Sequence, residues 1–174
     1  MKYRRIAMVA VMLVTAVLIQ TVVLTRIPFP GATPDLVLLV ALSIALVQGP
    51  TRGAIVCFSA GLLLDVVPPA DGAVGRWALV LCLVGWFVGR ASDAVEGSAG
   101  LPLLVVAGGV VASLVGYAAV GWLIGDARVT TSAVTGALPP AVLYDLLFSP
   151  FVVPVVMGLA RKLEVTTTYA RTVR

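Results

Sequence analysis

Six apolar stretches divide this chain of 174 residues, and most of its charged residues lie between them. Hydrophobic residues make up 60% of the chain and charged residues 11%, whereas soluble domains carry about a quarter of charged residues. A helix of about 20 apolar residues spans the roughly 30 Å hydrocarbon core of a bilayer. We therefore predict an all-α, polytopic membrane protein that forms a single helix bundle over residues 1–174.

The six predicted transmembrane helices follow from the apolar runs between charges and Pro or Gly breaks. The second run has 14 residues, or about 21 Å of helix, so it must gain length from its flanks or lie within a protected bundle. The third and fourth runs are also short. The predicted ranges are 6–24, 35–48, 51–67, 77–89, 101–125 and 133–160.

Turn signals mark both ends of the second predicted helix. Thr33 is predicted to cap it, with Pro34 at the first helical position and Asp35 in the first turn. The segment from Gly49 to Gly53 supplies a stop and a restart within a few residues, with these glycines as turn and packing positions. The second and third helices should therefore form a tight antiparallel hairpin.

The positive charges predict the orientation in the membrane. Six helices place both termini on one side, and that side collects nine of the twelve Lys and Arg residues. Cytoplasmic loops carry the excess of positive charge, so both termini should be cytoplasmic. The first helix begins like a signal peptide but has no clean cleavage site, and we expect it to be retained. The three positive charges expected outside are Arg26, Arg76 and Arg128.

An acid, Asp65, closes the third apolar run, where a charge is costly and needs a partner. At helical spacing it shares one face with Gly53, Cys57 and Gly61. Small residues allow close helix contact, so this face should meet protein. Asp65 then either caps and packs, or binds a partner chain or a charged loop residue such as Arg76.

A second acid, Asp145, lies near the middle of the sixth run, which four prolines interrupt and should kink. It shares a face with Ala141 and Ser149. An unpaired carboxylate at mid-bilayer costs about 2.5 to 3.5 kcal/mol, so Asp145 should be protonated, paired or facing a polar cavity. Its partner is expected to be a hydroxyl such as Tyr117, a water or a residue of another subunit.

The fifth run carries Gly108, Ala112 and Gly116 at four-residue spacing. Such a stripe lets another helix approach closely. Packing inside the bundle is the preferred interpretation, and docking of a partner's membrane helix is the alternative.

The residue content argues against an enzyme. Histidine is absent, which excludes a Ser–His intramembrane protease, and no cluster of metal ligands is present. Asp65 follows three leucines, whereas an intramembrane aspartyl protease needs Gly-x-Gly-Asp at its second acid. We predict no catalytic residue, cofactor or metal. The net charge of +4 suits anionic lipid headgroups better than nucleic acid.

Four elements between residues 34 and 90 resemble, in order and spacing, the rod shape-determining protein MreD family. They are PDLVLL at 34–39, ALVQGPTRG at 45–53, FSAGLLLD at 58–65, and GAVG at 72–75 followed by an apolar run that ends in Gly89-Arg90. The resemblance implies a non-catalytic bacterial inner-membrane protein of the elongation machinery. It also implies association with MreC, which has a single membrane span, with the RodA polymerase and its class B transpeptidase partner, and with the MreB filament system.

The resemblance further implies a fold similar to the S component of energy-coupling-factor vitamin transporters. A genuine S component is therefore the alternative function, although the first run lacks the Ala-x-x-x-Ala face expected for a coupling subunit. Whether the chain forms a homodimer is left open. The candidate functional or packing positions are Pro34, Asp35, Gly49, Gly53, Gly61, Asp65 and Asp145.

Overall fold

The structure, a computed structural model, describes residues 2–27, 30–67, 73–95, 97–98 and 100–172, with the side chains of 2, 25 and 163–172 excepted. These residues form helices and connections and contain no strand, so the all-α prediction is confirmed for them. Two short 3₁₀ turns, Leu24–Arg26 and Asp93–Val95, lie in connections. The α-helices are α1 (Lys2–Val22), α2 (Leu36–Gln48), α3 (Pro50–Val66), α4 (Arg76–Arg90), α5 (Leu101–Leu123) and α6 (Thr131–Thr172).

Three of these helices contain segments long and apolar enough to cross a membrane: Tyr3–Val22, Leu101–Leu123 and Thr131–Lys162. The other three have 13, 17 and 15 residues, which correspond to between about 20 and 26 Å. They fall short of the roughly 30 Å hydrocarbon core. The count of six membrane spans therefore stays a prediction.

Helix α2 is the centre of the bundle. Eleven of its 13 residues are buried, and it packs against all five other α-helices. A helix that is apolar on every side needs such surroundings. Of the two possibilities predicted for this short run, longer flanks or a protected bundle, the structure shows burial within the bundle.

The predicted hairpin between α2 and α3 is confirmed. Gly49 ends α2 with φ of 81°, a left-handed value that favours glycine, and Pro50 begins α3 directly after it. The N–H of Gly53 donates to the carbonyl oxygen of Gly49 at 2.8 Å, so α3 starts within the turn itself. The two helices are therefore held antiparallel by a single connecting residue.

Helix α6 runs without a break through its four prolines and packs against α2 and α5. Its 42 residues correspond to about 63 Å, well beyond the 40–45 Å of a whole bilayer with its headgroups. If α6 crosses a bilayer, a helix of this length must therefore extend beyond it or lie strongly tilted.

Candidate functional site

The predicted small-residue face of α3 is a close contact with α4. A Cβ placed on Gly61 would lie 2.5 Å from the backbone of Ala78, and one on Gly53 would lie 2.9 Å from the carbonyl oxygen of Gly85. Cys57 fills the space that a side chain at Gly85 would need. Both helices thus have glycine where their backbones meet, so this face of α3 packs closely on α4.

Asp65 caps the N-terminus of α4. Its carboxylate accepts hydrogen bonds from the backbone N–H groups of Gly75, Trp77 and Ala78 at 2.9, 3.1 and 3.1 Å. The first N–H groups of a helix have no partner within the helix, and the helix dipole favours a negative charge there. Only 7% of Asp65 is exposed. Its burial at the end of the packed α3 face is therefore explained by a structural contact.

Arg76 binds a different acid from the one suggested by the sequence. Its Nη1 lies 3.0 Å from Oδ2 of Asp126, and its Nε and Nη2 donate to the carbonyl oxygen of Tyr117 at 2.8 and 2.6 Å. The guanidinium also lies 3.6 Å from the centre of the Tyr117 ring. Arg76 is 4% exposed, so it joins α4 to the end of α5 in a buried position instead of pairing with Asp65.

Further contacts fix this arginine. The Tyr117 ring stacks on Trp77 with 4.2 Å between ring centres, and Gly121 leaves the space through which the Arg76 guanidinium passes. In the connection after α5, the backbone N–H and the side chain of Arg128 both donate to the carboxylate of Asp126. These hydrogen bonds, followed by the positive charges of Arg128 and Arg76, lower the pKa of Asp126. Asp126 is therefore held ionised.

The second acid, Asp145, binds the N-terminus of α2. The backbone N–H of Asp35 donates to its Oδ1 at 2.6 Å, while the Asp35 side chain accepts from the N–H of Leu38 at 2.9 Å. Asp35 itself is the N-cap and the helix begins at Leu36, so the prediction that Thr33 caps the helix is wrong. Pro34 and Asp35 marked the region where α2 starts. The capping residue is Asp35 and not Thr33, because the Asp35 carboxylate accepts from the N–H of Leu38 in the first turn.

A third side chain completes this cap. Oε1 of Gln20, from α1, accepts from the N–H of Val37 at 3.0 Å. Side chains from α1, from the segment before α2, and from α6 thus satisfy three donors of one buried helix end. Of the three partners suggested for Asp145, Tyr117 does not take this role: the backbone N–H of Asp35 binds the carboxylate, and the Tyr117 ring stacks on Trp77.

The family model described as rod shape-determining protein MreD matches residues 2–163, nearly the whole chain. The chain belongs to the MreD family. The comparison with curated proteins found no match, and neither did the comparison with solved structures. MreD-family proteins are bacterial membrane proteins of rod-shape determination, linked to the MreB and MreC shape machinery, and they are not a known enzyme family.

The candidate positions of this MreD-family chain fall into two groups. Pro34, Asp35 and Asp145 meet at the start of α2, whereas Gly49, Gly53, Gly61 and Asp65 lie along the α3 contact with α4. Within the described residues, no group of three or more His, Cys, Asp or Glu side chains could hold a metal ion.

Four residues of this MreD-family chain have roles that the sequence did not predict: Gln20, Trp77, Tyr117 and Asp126. A signal existed for Gln20, which is an amide inside an otherwise apolar run. The opposite charges of Arg76 and Asp126 lie 50 residues apart and gave no local signal.

The packing expectation for α5 is wrong at two of its three positions in this MreD-family chain. Gly108 and Ala112 are exposed, and a Cβ placed on Gly108 would meet nothing within 4 Å. The adjacent residues Gly109 and Ser113 face the bundle instead, where Gly109 approaches Leu42 of α2. The buried face of α5 is thus rotated by one residue from the stripe read in the sequence.

Proposed function

We propose that this protein is a non-catalytic integral membrane scaffold of the bacterial cell-elongation machinery. It regulates cell shape and wall synthesis by binding an MreC-like single-span protein, the RodA polymerase and its class B transpeptidase, and it connects them to the MreB filament system. The observation that carries this proposal is the match of the MreD family over residues 2–163.

The use of the buried polar residues supports a structural role. Asp65 and Asp145 accept hydrogen bonds from the N-termini of α4 and α2, and Arg76 binds a carbonyl oxygen and Asp126. Burying an unpaired charge costs several kcal/mol, whereas each of these charges has partners. Such contacts fix helix positions, which is what a scaffold requires of its buried acids.

We further propose six membrane spans with both termini in the cytoplasm of a bacterial inner membrane. The nine-to-three distribution of positive charge supports this orientation. It places the N-termini of α2 and α4, with their caps, toward the outer surface. The short helices α2, α3 and α4 span as parts of one packed group, since α2 contacts both of the others and these contact each other.

An S component of a vitamin transporter would instead present free polar groups under its external loops to hold a ligand. In this chain Gln20, Asp65 and Asp145 bind backbone N–H groups at that end. Because these side chains already bind the backbone, they favour the scaffold function over a ligand-binding S component.

Co-purification from bacterial membranes in a mild detergent tests the proposal. Tagged protein should recover an MreC-like single-span protein and, in a rod-shaped host that lacks its own MreD, it should restore rod shape. A tagged vitamin-transporter S component of similar size is the control and should do neither. Recovery of two ATPases with a coupling subunit, or failure of both measurements at normal abundance, would overturn the scaffold function.

A further inference from the structure

A groove opens between α1 and α3 on the surface of the bundle. Helix α1 packs mainly on α2 and hardly contacts α3, which leaves a space of about 860 Å³ between them. Pockets that bind small molecules occupy about 300–1,000 Å³ and have mostly apolar walls with a few polar groups. The apolar walls of this groove include Ile6, Val9 and Leu13 on α1, and Ile55, Phe58 and Leu62 on α3.

The polar groups lie at one end of the groove. Arg5 at the start of α1, Gln48 at the end of α2 and Arg52 in the first turn of α3 all line it. Since α2 and α3 form a hairpin, Gln48 and Arg52 lie at the same end of the bundle. Ser59 also lines the groove, but its hydroxyl donates to the carbonyl oxygen of Ile55, so the wall beyond the arginines is effectively apolar.

The depth of the groove corresponds to one leaflet. Its lining on α1 extends from Arg5 to Val14, about 14 Å of helix, and on α3 from Arg52 to Leu63, about 17 Å. Half of the hydrocarbon core is about 15 Å. A partner membrane helix would need contact across the whole core, so the groove fits an acyl chain better than a helix.

We propose that this groove binds one anionic phospholipid, with its phosphate between Arg5 and Arg52 and one acyl chain along the apolar walls. The two guanidinium groups can both donate hydrogen bonds to the oxygens of a singly charged phosphodiester, and Gln48 adds a neutral donor. A guanidinium carries five N–H donors, so it can bind phosphate while its other contacts in the chain persist. In the proposed orientation the lipid comes from the cytoplasmic leaflet.

Native mass spectrometry of the detergent-purified chain with dioleoyl phosphatidylglycerol or dioleoyl phosphatidylcholine tests the headgroup. Phosphatidylglycerol should bind one per chain, with an advantage of roughly fivefold for each arginine. Arg52→Gln should therefore weaken phosphatidylglycerol binding roughly fivefold and phosphatidylcholine binding less, because the choline ammonium offsets the charge of the phosphate that both lipids carry. Arg4→Gln is the matched control, since it removes the same charge beside Arg5 but outside the groove lining, and it should have no effect.

A second pair of variants tests the groove itself. Ala10 lines the groove and Ala7 does not, although both are exposed on α1. Ala10→Trp should abolish the bound lipid at an unchanged melting temperature, whereas Ala7→Trp should retain it. If Ala10→Trp fails to fold, the headgroup selectivity of Arg52→Gln decides alone.

Three results would overturn the proposal. One is equal binding of the two lipids by the wild type, and another is equal weakening by Arg4→Gln and Arg52→Gln. The third is a different occupant, either an isoprenoid phosphate that displaces phosphatidylglycerol or a single-span protein crosslinked from position 9. The scaffold function is measured by shape and co-purification, so its failure would be distinguishable from failure of the lipid site.

Discussion

The backbone N–H of Asp35 donates a hydrogen bond to the carboxylate of Asp145, 110 residues further along the chain, at 2.6 Å. Asp145 is 1% exposed, and the helix end that it caps belongs to the central helix of the bundle. This hydrogen bond thus connects α6 to the central helix α2. It also gives a structural reason for the Asp145 carboxylate, which would be costly if it were unpaired in a bilayer.

This contact predicts the response to substitution of Asp145. Asp145→Ala leaves the N–H of Asp35 without its partner and should lower the free energy of unfolding by about 1–3 kcal/mol. Asp145→Asn keeps an acceptor oxygen and should cost less. Thermal melting in detergent measures both, with Leu147→Ala, at an exposed position of the same helix, as the control. A larger loss for Asn than for Ala would contradict the cap.

The cap on α4 predicts that Asp65 matters for accumulation. Asp65→Ala leaves three backbone N–H groups without their acceptor and should reduce the abundance and the melting temperature of the protein. Asp65→Asn should be intermediate, because its single amide oxygen cannot replace two carboxylate oxygens. Asp93→Ala, at an exposed acid in a connection, is the control. Normal abundance with a loss of rod-shape complementation would instead assign the charge of Asp65 to partner binding.

The contact between α3 and α4 predicts opposite outcomes for two glycines. Gly61→Ala forces a Cβ to within 2.5 Å of the Ala78 backbone, so the helices must separate at a cost of about 1–3 kcal/mol. Gly61→Leu should be more severe. Gly108→Ala meets open space and should be neutral or stabilising, since alanine favours the helix by about 0.5–1 kcal/mol. Equal melting of the two alanine variants would exclude the close contact.

The charge distribution predicts which positions are accessible from outside. In a variant with Cys57 and Cys82 replaced by alanine, an impermeant thiol reagent should label Pro30→Cys or Asp71→Cys in intact cells. Thr172→Cys should stay unlabelled until the membrane is opened. Labelling of position 172 from outside would overturn the six-span topology with cytoplasmic termini.

The depressed pKa of Asp126 predicts the pH range in which its contacts stabilise the protein. A carboxyl whose pKa is lowered on folding stabilises the folded state above its unfolded value of 3.8, and this contribution is lost as pH falls through the folded value. The wild type should therefore have a higher melting temperature than Asp126→Asn from pH 7 down to about 4. The difference should vanish in stronger acid. A difference that grows with acidification would contradict the sign.

The helices, the hairpin and one close helix contact could be predicted from short stretches of the sequence. Apolar runs predicted the six helices, and Gly49-Pro50 predicted the hairpin, because backbone geometry and hydropathy act over a few neighbouring residues. The spacing of Gly53, Cys57 and Gly61 also predicted a close contact, since residues four apart share one helix face.

The partners of the charged residues were decided only by the tertiary structure. Asp145 meets Asp35, and Arg76 meets Asp126, because packing brings distant helix ends together and each buried charge must find a donor or acceptor there. The sequence could state that Asp65 and Asp145 need partners. Which helix end each acid would cap could not be predicted from the sequence. The rotation of an apolar helix is also hidden, because its hydropathy is similar on every face, and on α5 Gly109 faces the bundle where Gly108 was predicted.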